Sequence, residues 1–357
     1  MSRAHDTDVH DVEGEQTKAA LGALLVPLFF VVMFSACIIG TYHKPHPSDI
    51  RVGVVGPASA TAPLRAALVE AAGSTFDIRP VATVAEAAHA VRHRDLDAAF
   101  VPTADPTQPA TVIVATAGGR IVATAAETLA RGVSATQGAQ LVVRDVRPLG
   151  SGDPIGLGIF LFMVICTIGG YFAATVLYTV APDLPPRRRY PMLAAIAILT
   201  PTLTYLIGGL GFGTYTGSVG TILAFIGVGA LYTFVVALIT RLLQVLLGPI
   251  GIFVSLAIFV FINIPSLGAT YTARTLPPLW RFLNHFWIGA ETVNAERSIL
   301  YFGGQGVGTN MLRLLAWTLA VIALLLLPLL RKLEQQREHT AVPHSHAPAM
   351  QSLAQQS

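Results

Sequence analysis

LGALLVPLFFVVMFSACIIGT, residues 21–41, decides the fold class because it is a run of 21 residues without a charged side chain. About 20 apolar residues in a helix cross a bilayer core, where hydrocarbon offers no partner to unsatisfied backbone groups. Water-compatible residues 43–153 follow. Five further apolar runs then lie at Ile155–Ala181, Met192–Phe212, Val219–Thr240, Val245–Asn263 and Met311–Leu330. This order predicts an α-helical polytopic membrane protein with six transmembrane helices and an α/β domain inserted after the first.

The composition argues against a soluble protein and against a nucleic-acid partner. The chain is 53% hydrophobic and 12% charged, with a mean hydropathy of +0.61, whereas soluble chains carry about 25% charged residues. The net charge of +3 is small and the arginines are dispersed, so the expected partner is the lipid bilayer. Cys37 and Cys166 lie inside apolar runs and are expected to be packed thiols rather than a disulfide or zinc ligands.

Arginine placement predicts the orientation, because Lys and Arg in short loops stay in the cytoplasm. Arg187, Arg188 and Arg189 stand between the second and third apolar runs, Arg241 follows the fourth, and further basic residues follow the last. With six spans, all three segments lie on one side. We therefore expect a multi-pass cell-membrane protein whose termini are cytoplasmic and whose residues 43–153 are extracytoplasmic.

Four arginines oppose this rule. Arg274, Arg281, Arg297 and Arg313 fall on the extracytoplasmic side, most of them in a long loop where the rule weakens. The resulting division is a cytoplasmic tail at 1–19, a transmembrane helix at 20–42, the α/β domain at 43–153, a five-helix transmembrane domain at 154–331 and a disordered cytoplasmic tail at 332–357.

Residues 43–153 alternate between β-rich and Ala/Leu-rich segments, which is typical of a small α/β domain with a mixed sheet. About 100 residues suffice for one modest core, so we expect residues 48–148 to fold alone. Gly150–Gly152 is predicted to be a flexible hinge, and Asp153–Pro154 to start the second span. Strands are predicted at Arg51–Val55, Phe76–Ala82, Ala98–Val101, Thr111–Ala115 and Gln140–Val146, and helices at Pro63–Ala72, Val84–Arg94 and Arg120–Arg131.

Residues 270–310 form the most individual part of the chain. The helix predicted at Glu291–Tyr301 is too short and too polar to span, which indicates an interfacial or re-entrant helix that caps the external mouth. Trp280, Trp287 and Tyr301 suit the outer headgroup level. Arg297 follows Glu296, and an unpaired arginine at membrane depth costs several kcal/mol. It should therefore either snorkel to water, or clamp the helix or a lipid headgroup through a bidentate contact that lysine cannot reproduce.

These considerations give seven candidate functional residues, none of them catalytic. They are Arg297, Glu296, Trp280, Trp287, Arg187, Arg188 and Arg189.

No motif indicates an enzyme, a cofactor or a metal. A phosphate-binding loop needs GxxxxGK[ST], and the nearest string, residues 303–309, lacks the lysine. The sequence contains no GxSxG or HExxH motif. Glu86, His89 and His93 share a helix face that could offer three metal ligands, but Arg92 and Arg94 flank it, and a solvated polar face explains it better.

Glycines are frequent in the third and fourth apolar runs, from Gly208 to Gly229. Close helix packing is the favoured interpretation. A hinge or a substrate path is the alternative.

The chain resembles the type-2 ABC exporter permeases, and most of all their YhgE/Pip-like (phage infection protein) branch. The order of elements over residues 20–331 supports the likeness, together with four local motifs: LDAAFVP at 96–102, NIPS at 263–266, LPPLW at 276–280 and GAETVNAERSILYF at 289–302. The resemblance implies a homodimer that moves lipids, drugs or polymers outward, powered by a separate cytoplasmic ATPase.

Two classes of function follow. The first is a permease that exports a lipid, drug or envelope component together with an ATPase. The second is an ATPase-independent envelope or secretion accessory, or a surface receptor of the phage-infection-protein type. The acidic N-terminal tail and the short, proline-rich Arg187–Arg189 link differ from the family and keep the second class open.

Overall fold

The computed structural model describes residues 3–45, 47–103, 105 and 107–341. The first part contains α1 (Arg3–Tyr42), β1 (Ile50–Val55), α2 (Ala58–Ala72), β2 (Phe76–Val81), α3 (Val84–Arg92), β3 (Ala98–Val101), β4 (Ala110–Val114), α4 (Arg120–Thr136) and β5 (Leu141–Asp145). The second part contains α5 (Gly158–Val180), α6 (Pro186–Tyr205), α7 (Val219–Leu247), α8 (Ile250–Ala257), α9 (Ile264–Ser266), α10 (Pro278–Asn284), α11 (Ile288–Tyr301) and α12 (Val307–Ala341).

Five helices in the described part of the chain are long and apolar enough to cross a membrane. They are Ala20–Tyr42, Gly158–Val180, Pro186–Gly211, Val219–Leu247 and Val307–Leu327. The third of these includes a π-helical turn at Leu206–Gly211, which follows α6 directly. The protein is therefore mostly helical and suited to several membrane passes.

The fifth predicted span, Val245–Asn263, differs from its expectation. α7 continues to Leu247 and so includes the first three residues of that run. It ends there because the first helix-breaking residues are Gly248, at φ +60°, and Pro249. What remains is a helix over Ile250–Ser266, interrupted by a π-helical turn at Ile258–Asn263. These 17 residues are shorter than the five long helices.

The two predicted tails contain helix. α1 begins at Arg3, within the tail expected at 1–19. α12 continues to Ala341, so it enters the region expected to be a disordered tail. Residues 342–357 lie outside the described residues.

The inserted domain has a five-stranded mixed sheet in the order β2-β1-β3-β4-β5, as the alternating sequence predicts. β1 pairs in parallel with β2 and β3, β3 is antiparallel to β4, and β4 is parallel to β5. Strands and helices lie within a few residues of their predicted positions, except that α2 starts five residues earlier and α4 ends five residues later.

Each face of the sheet has its own apolar core. On one face α4 covers Val52, Phe100 and Val112. On the other face α3 covers Val55, Ala99 and Ile113, and this second core also contains Phe302, which follows α11. Phe302 is fully buried. A residue from the far end of the chain therefore completes the core of the inserted domain.

Helices α5 to α12 form the helical body. It packs around Phe162 of α5, Phe225 and Tyr232 of α7, and the apolar side of α11. Eleven of the fourteen residues of α11 are buried. This burial does not suit a helix that lies at the membrane surface, while the alternative of a re-entrant helix stays a prediction. α11 is a central element of the body, held by apolar contacts with α5 and α7.

The predicted hinge at Gly150–Gly152 has one close contact, and its flexibility stays a prediction. A Cβ at Gly152 would collide with the carbonyl of Gly213 in the link between α6 and α7, so the chain is closely packed there. Asp153 does cap the second span, since its carboxylate accepts hydrogen bonds from the backbone N–H groups of Leu157 and Gly158, both at 2.8 Å. The helix itself begins at Gly158.

Several glycines in the third and fourth runs have the packing role that was favoured. A Cβ at Gly208 would lie 2.7 Å from the ring of Tyr215, and one at Gly229 would lie 2.6 Å from the ring of Phe162. Gly227 has open space instead.

Candidate functional site

A cavity of about 520 Å³ lies between the inserted domain and the helical body. Its lining comes from the start of β1, the end of α3, the loop before β3, the loop 268–274, and helices α10 and α11. Five arginines and two aspartates line it, a formal surplus of three positive charges: Arg51, Arg94, Arg274, Arg281, Arg297, Asp49 and Asp97.

Asp97 joins the two units. Its carboxylate accepts hydrogen bonds from the backbone N–H and the guanidinium of Arg51, at 2.8 and 3.3 Å. It also forms an ion pair of 2.7 Å with Nε of Arg274 in the loop of the helical body. Burial lowers the pKa of Arg274, and the neighbouring charge of Asp97 opposes this effect. The second aspartate, Asp49, lies 3.6 Å from Nη1 of Arg281.

Arg94 extends from the inserted domain to α11. Its Nη1 donates to the hydroxyl of Ser298 at 2.9 Å, and its Nη2 donates to Oδ1 of Asn294 at 3.4 Å. The backbone of Arg94 has a φ of +65°, a conformation that L residues other than Asn and Asp rarely adopt. Burial lowers the pKa of Arg94, the charge of Asp97 opposes this effect, and the charge of Arg51 adds to it. The guanidinium stays protonated at neutral pH all the same, since arginine does not deprotonate in proteins.

Arg297 is only 4% exposed, so the expectation that it snorkels to water is wrong. Its Nη2 donates to the carbonyls of Gly268, at 3.1 Å, and of Ala269. Through this one nitrogen it clamps the loop 268–274 to α11, and the bidentate contact of the alternative expectation stays a prediction. Nε and Nη1 of Arg297 have no hydrogen-bond acceptor among the described residues.

The acidic residues of α11 are not partners of Arg297. Glu291 pairs with Arg313 of α12 at 2.8 Å and is 2% exposed. Glu296 is fully buried, and neither of its carboxyl oxygens has a hydrogen-bond partner among the described residues. Glu296 therefore faces the apolar body rather than the cavity lining.

The remaining candidates lie apart from the cavity. Trp287 donates from Nε1 to Oδ1 of the buried Asn263 at 3.0 Å, so it belongs to the helical body rather than to a headgroup layer alone. Trp280 is half-buried on α10. Arg187 and Arg188 are exposed at the start of α6, whereas Arg189 is buried and donates to the carbonyl of Pro182 at 2.6 Å.

The trio considered for a metal is engaged otherwise. The carboxylate of Glu86 accepts a hydrogen bond from the backbone N–H of Ala82 at 3.2 Å, at the start of the helix. The ring centroids of His89 and His93 lie 3.8 Å apart. Among the residues the structure describes, no cluster of three metal-ligating side chains occurs.

Sequence reasoning singled out Arg297 but missed Arg51, Arg94, Arg274 and Arg281 as members of one site. A signal was present. Arg274, Arg281 and Arg297 were three of the four arginines that opposed the charge rule for orientation, and all three line the cavity. The fourth, Arg313, pairs with Glu291. Arg274, Arg281 and Arg313 have carboxylate partners, whereas Arg297 is bound by two backbone carbonyls, so local contacts account for their positions.

Comparison of the chain with protein-family models, with curated proteins and with solved structures finds no match.

Proposed function

We propose that this chain is a multi-pass permease of the cell membrane that passes a lipid, drug or envelope component outward. The observation that carries the proposal is the cavity between the inserted domain and the helical body, because both units line it. A cavity of this size at the junction of two units suits a ligand or part of one. The resemblance to type-2 ABC exporter permeases points to the same class of function.

Six membrane crossings are part of the proposal, with Ile250–Ser266 as the fifth. Two contacts support it. The hydroxyl of Tyr42, at the end of α1, donates to the carbonyl of Ile264 at 2.9 Å, which brings the end of this segment level with the start of the inserted domain. The hydroxyl of Tyr171, 13 residues into α5, donates to the carbonyl of Ile252 at 3.4 Å, which sets the other end deeper.

The two sides of the body differ in charge, which supports the proposed orientation. The link at Gly213 packs against Gly152 and so lies on the side of the inserted domain. Arg189 near the start of α6 and Arg241 near the end of α7 are close enough to repel each other. The Gly213 link joins the other ends of these two helices, so both arginines lie at the end of the body away from the inserted domain. Since basic links stay in the cytoplasm, we assign that side, with both termini, to the cytoplasm and the inserted domain to the outside.

A cytoplasmic ATPase and a second copy of the chain complete the proposed transporter. The exposed Arg187 and Arg188 at the start of α6 offer a basic surface on the proposed cytoplasmic side. Such a surface suits an acidic patch of a partner subunit.

Co-purification from native membranes in mild detergent tests the ATPase. We expect an ATPase to be retained by the natural chain and lost when Arg187→Ala and Arg188→Ala are combined, whereas Arg79→Ala on the inserted domain should retain it. If no ATPase is found with any variant, and deletion of the gene changes only surface assembly or phage adsorption, the accessory or receptor class replaces the permease.

Cysteine labelling on intact cells tests the topology. A cysteine at Ser59 should react with an impermeant thiol reagent, and one at Arg188 should react only after permeabilisation. A tag after Ser357 should be accessible from the same side as position 188. Accessibility of the tag from the side of Ser59 would leave five crossings and contradict the proposal.

A further inference from the structure

We propose that the arginine-lined cavity binds a phosphate or diphosphate group, carried either by a lipid headgroup or by a soluble molecule. This inference rests on the proposed function only where the bound group is taken to be part of the transported molecule. The binding itself is argued from the charges and contacts of the cavity.

The charges of the cavity are not balanced by its own residues. Asp97 pairs with Arg51 and Arg274, and Asp49 pairs with Arg281. Arg94 and Arg297 form no ion pair among the described residues. These two guanidinium groups are also close enough for the charge of Arg94 to act unfavourably on that of Arg297. An anion between them would turn this repulsion into attraction.

The two unbalanced arginines are held in place before any ligand arrives. Arg297 is buried and fixed through Nη2 by the carbonyls of Gly268 and Ala269, so its Nε and Nη1 remain as donors. Arg94 is fixed by Ser298 and by the ring of Phe302. Because the side chains are ordered already, an anion would bind with little further loss of side-chain entropy.

The charge and the donor geometry favour phosphate over a carboxylate. A guanidinium presents a planar fork of N–H donors that matches two phosphate oxygens, and a phosphate monoester carries a charge of about −1.5 to −2 at pH 7. The surplus of three positive charges therefore suits one or two phosphate groups better than a single carboxylate.

Thermal unfolding of the full-length protein in nanodiscs of phosphatidylcholine tests the proposal. Inorganic pyrophosphate is added in one series, with potassium chloride of equal ionic strength as reference. In a parallel series the nanodiscs contain phosphatidic acid, whose headgroup is a phosphate monoester. Native mass spectrometry of the same samples reports which lipids the protein retains.

Arg94→Gln is the main variant, because Arg94 is half-buried and its loss leaves the clamp made by Arg297 intact. Arg297→Lys keeps the charge but removes the planar fork. Arg79→Gln is the matched control. It removes one positive charge from the same domain, and Arg79 is an exposed residue of β2 that pairs with Asp77 outside the cavity.

We expect pyrophosphate or phosphatidic acid to stabilise the natural protein and the Arg79→Gln variant, and the affinity of Arg94→Gln and Arg297→Lys to fall by about tenfold or more. Stabilisation by pyrophosphate assigns the site to a soluble phosphate group, and stabilisation by phosphatidic acid alone assigns it to a lipid headgroup. If neither probe stabilises the natural protein, or if Arg94→Gln and Arg79→Gln respond alike, the proposal is overturned. None of these results depends on the ATPase or the topology, so the binding proposal can fail while the proposed function stands, and the reverse.

Discussion

The guanidinium of Arg94 lies 5.3 Å from the centroid of the Phe302 ring. Arg94 belongs to the inserted domain and lines the cavity, while Phe302 follows α11 of the helical body and is buried in the core of the inserted domain. One residue pair thus forms a wall of the cavity and a part of the domain core at once. The position of the inserted domain relative to the body is therefore fixed by packing as well as by charge.

Phe302→Ala should destabilise the protein strongly. The side chain is fully buried, and truncation of a buried phenylalanine costs about 3–5 kcal/mol through lost transfer energy and a cavity. The measurement is the thermal unfolding of the detergent-solubilised protein. Phe282→Ala is the control, because Phe282 is 65% exposed. Equal stability of the two variants would show that Phe302 is not part of the core.

The fragment 48–148 should not fold cooperatively, although the sequence predicts that it does. Without Phe302, the second core of the domain lacks one of its largest side chains and exposes Val55 and Ile113 beneath α3. Calorimetry of the isolated fragment should show a broad transition with low enthalpy. A sharp, reversible transition would restore the sequence-based expectation.

Gly289→Ala should disturb the polar link inside the body. A Cβ at this position would collide with Oδ1 of Asn263, which accepts the hydrogen bond from Trp287. Overpacking of this kind costs about 1–3 kcal/mol, and the tryptophan fluorescence should change with it. Gly308→Ala, a position with open space around it, should leave both the stability and the spectrum as they are.

Arg313→Ala should destabilise the protein, and Glu291→Gln should rescue it. Removal of Arg313 leaves the carboxylate of Glu291, 2% exposed, without its ion pair. Loss of a partner from a buried pair costs about 3–5 kcal/mol, and we expect about 1–3 kcal/mol here because Arg313 is half exposed and its charge is screened by solvent. The double variant removes the unpaired charge. In a double-mutant cycle by thermal unfolding, its loss of stability should therefore be smaller than the sum of the losses of the two single variants. Strict additivity would count against the pair.

Glu296→Leu should stabilise the protein. The carboxyl group is fully buried without a hydrogen-bond partner among the described residues, and replacing such a group by an apolar side chain of similar volume removes a desolvation penalty of about 1–3 kcal/mol. Glu70→Leu, at an exposed position of α2, is the control and should change little. A lower midpoint temperature for Glu296→Leu would indicate that Glu296 has a partner that this prediction omits.

The α/β domain could be predicted from the sequence because its signals are local. The β-rich runs end at Gly56, Ala82 and Val101, and the helices between them have their own start signals, such as Thr83 before α3. The number of membrane crossings is less accessible, because the boundary between α7 and the next helix depends on a single break at Gly248.

The cavity could not be predicted from spacing, since its residues come from segments more than 200 positions apart. Arg51 and Arg274 meet only because both bind Asp97. The polar sequence of α11 indicated an interface, whereas its charged residues are buried by neighbouring helices. The arginines on the unexpected side were the one feature of the sequence that marked the site.

The place of Phe302 in the domain core also sets the order of biogenesis. The last strand of the inserted domain ends at Asp145, and Phe302 follows 157 residues later. At a synthesis rate of about 5–20 residues per second, the ribosome needs on the order of 10 to 30 s to make this stretch. During that interval the second core lacks Phe302, so its apolar residues stay accessible to proteases and chaperones until α11 and the residue after it have been made.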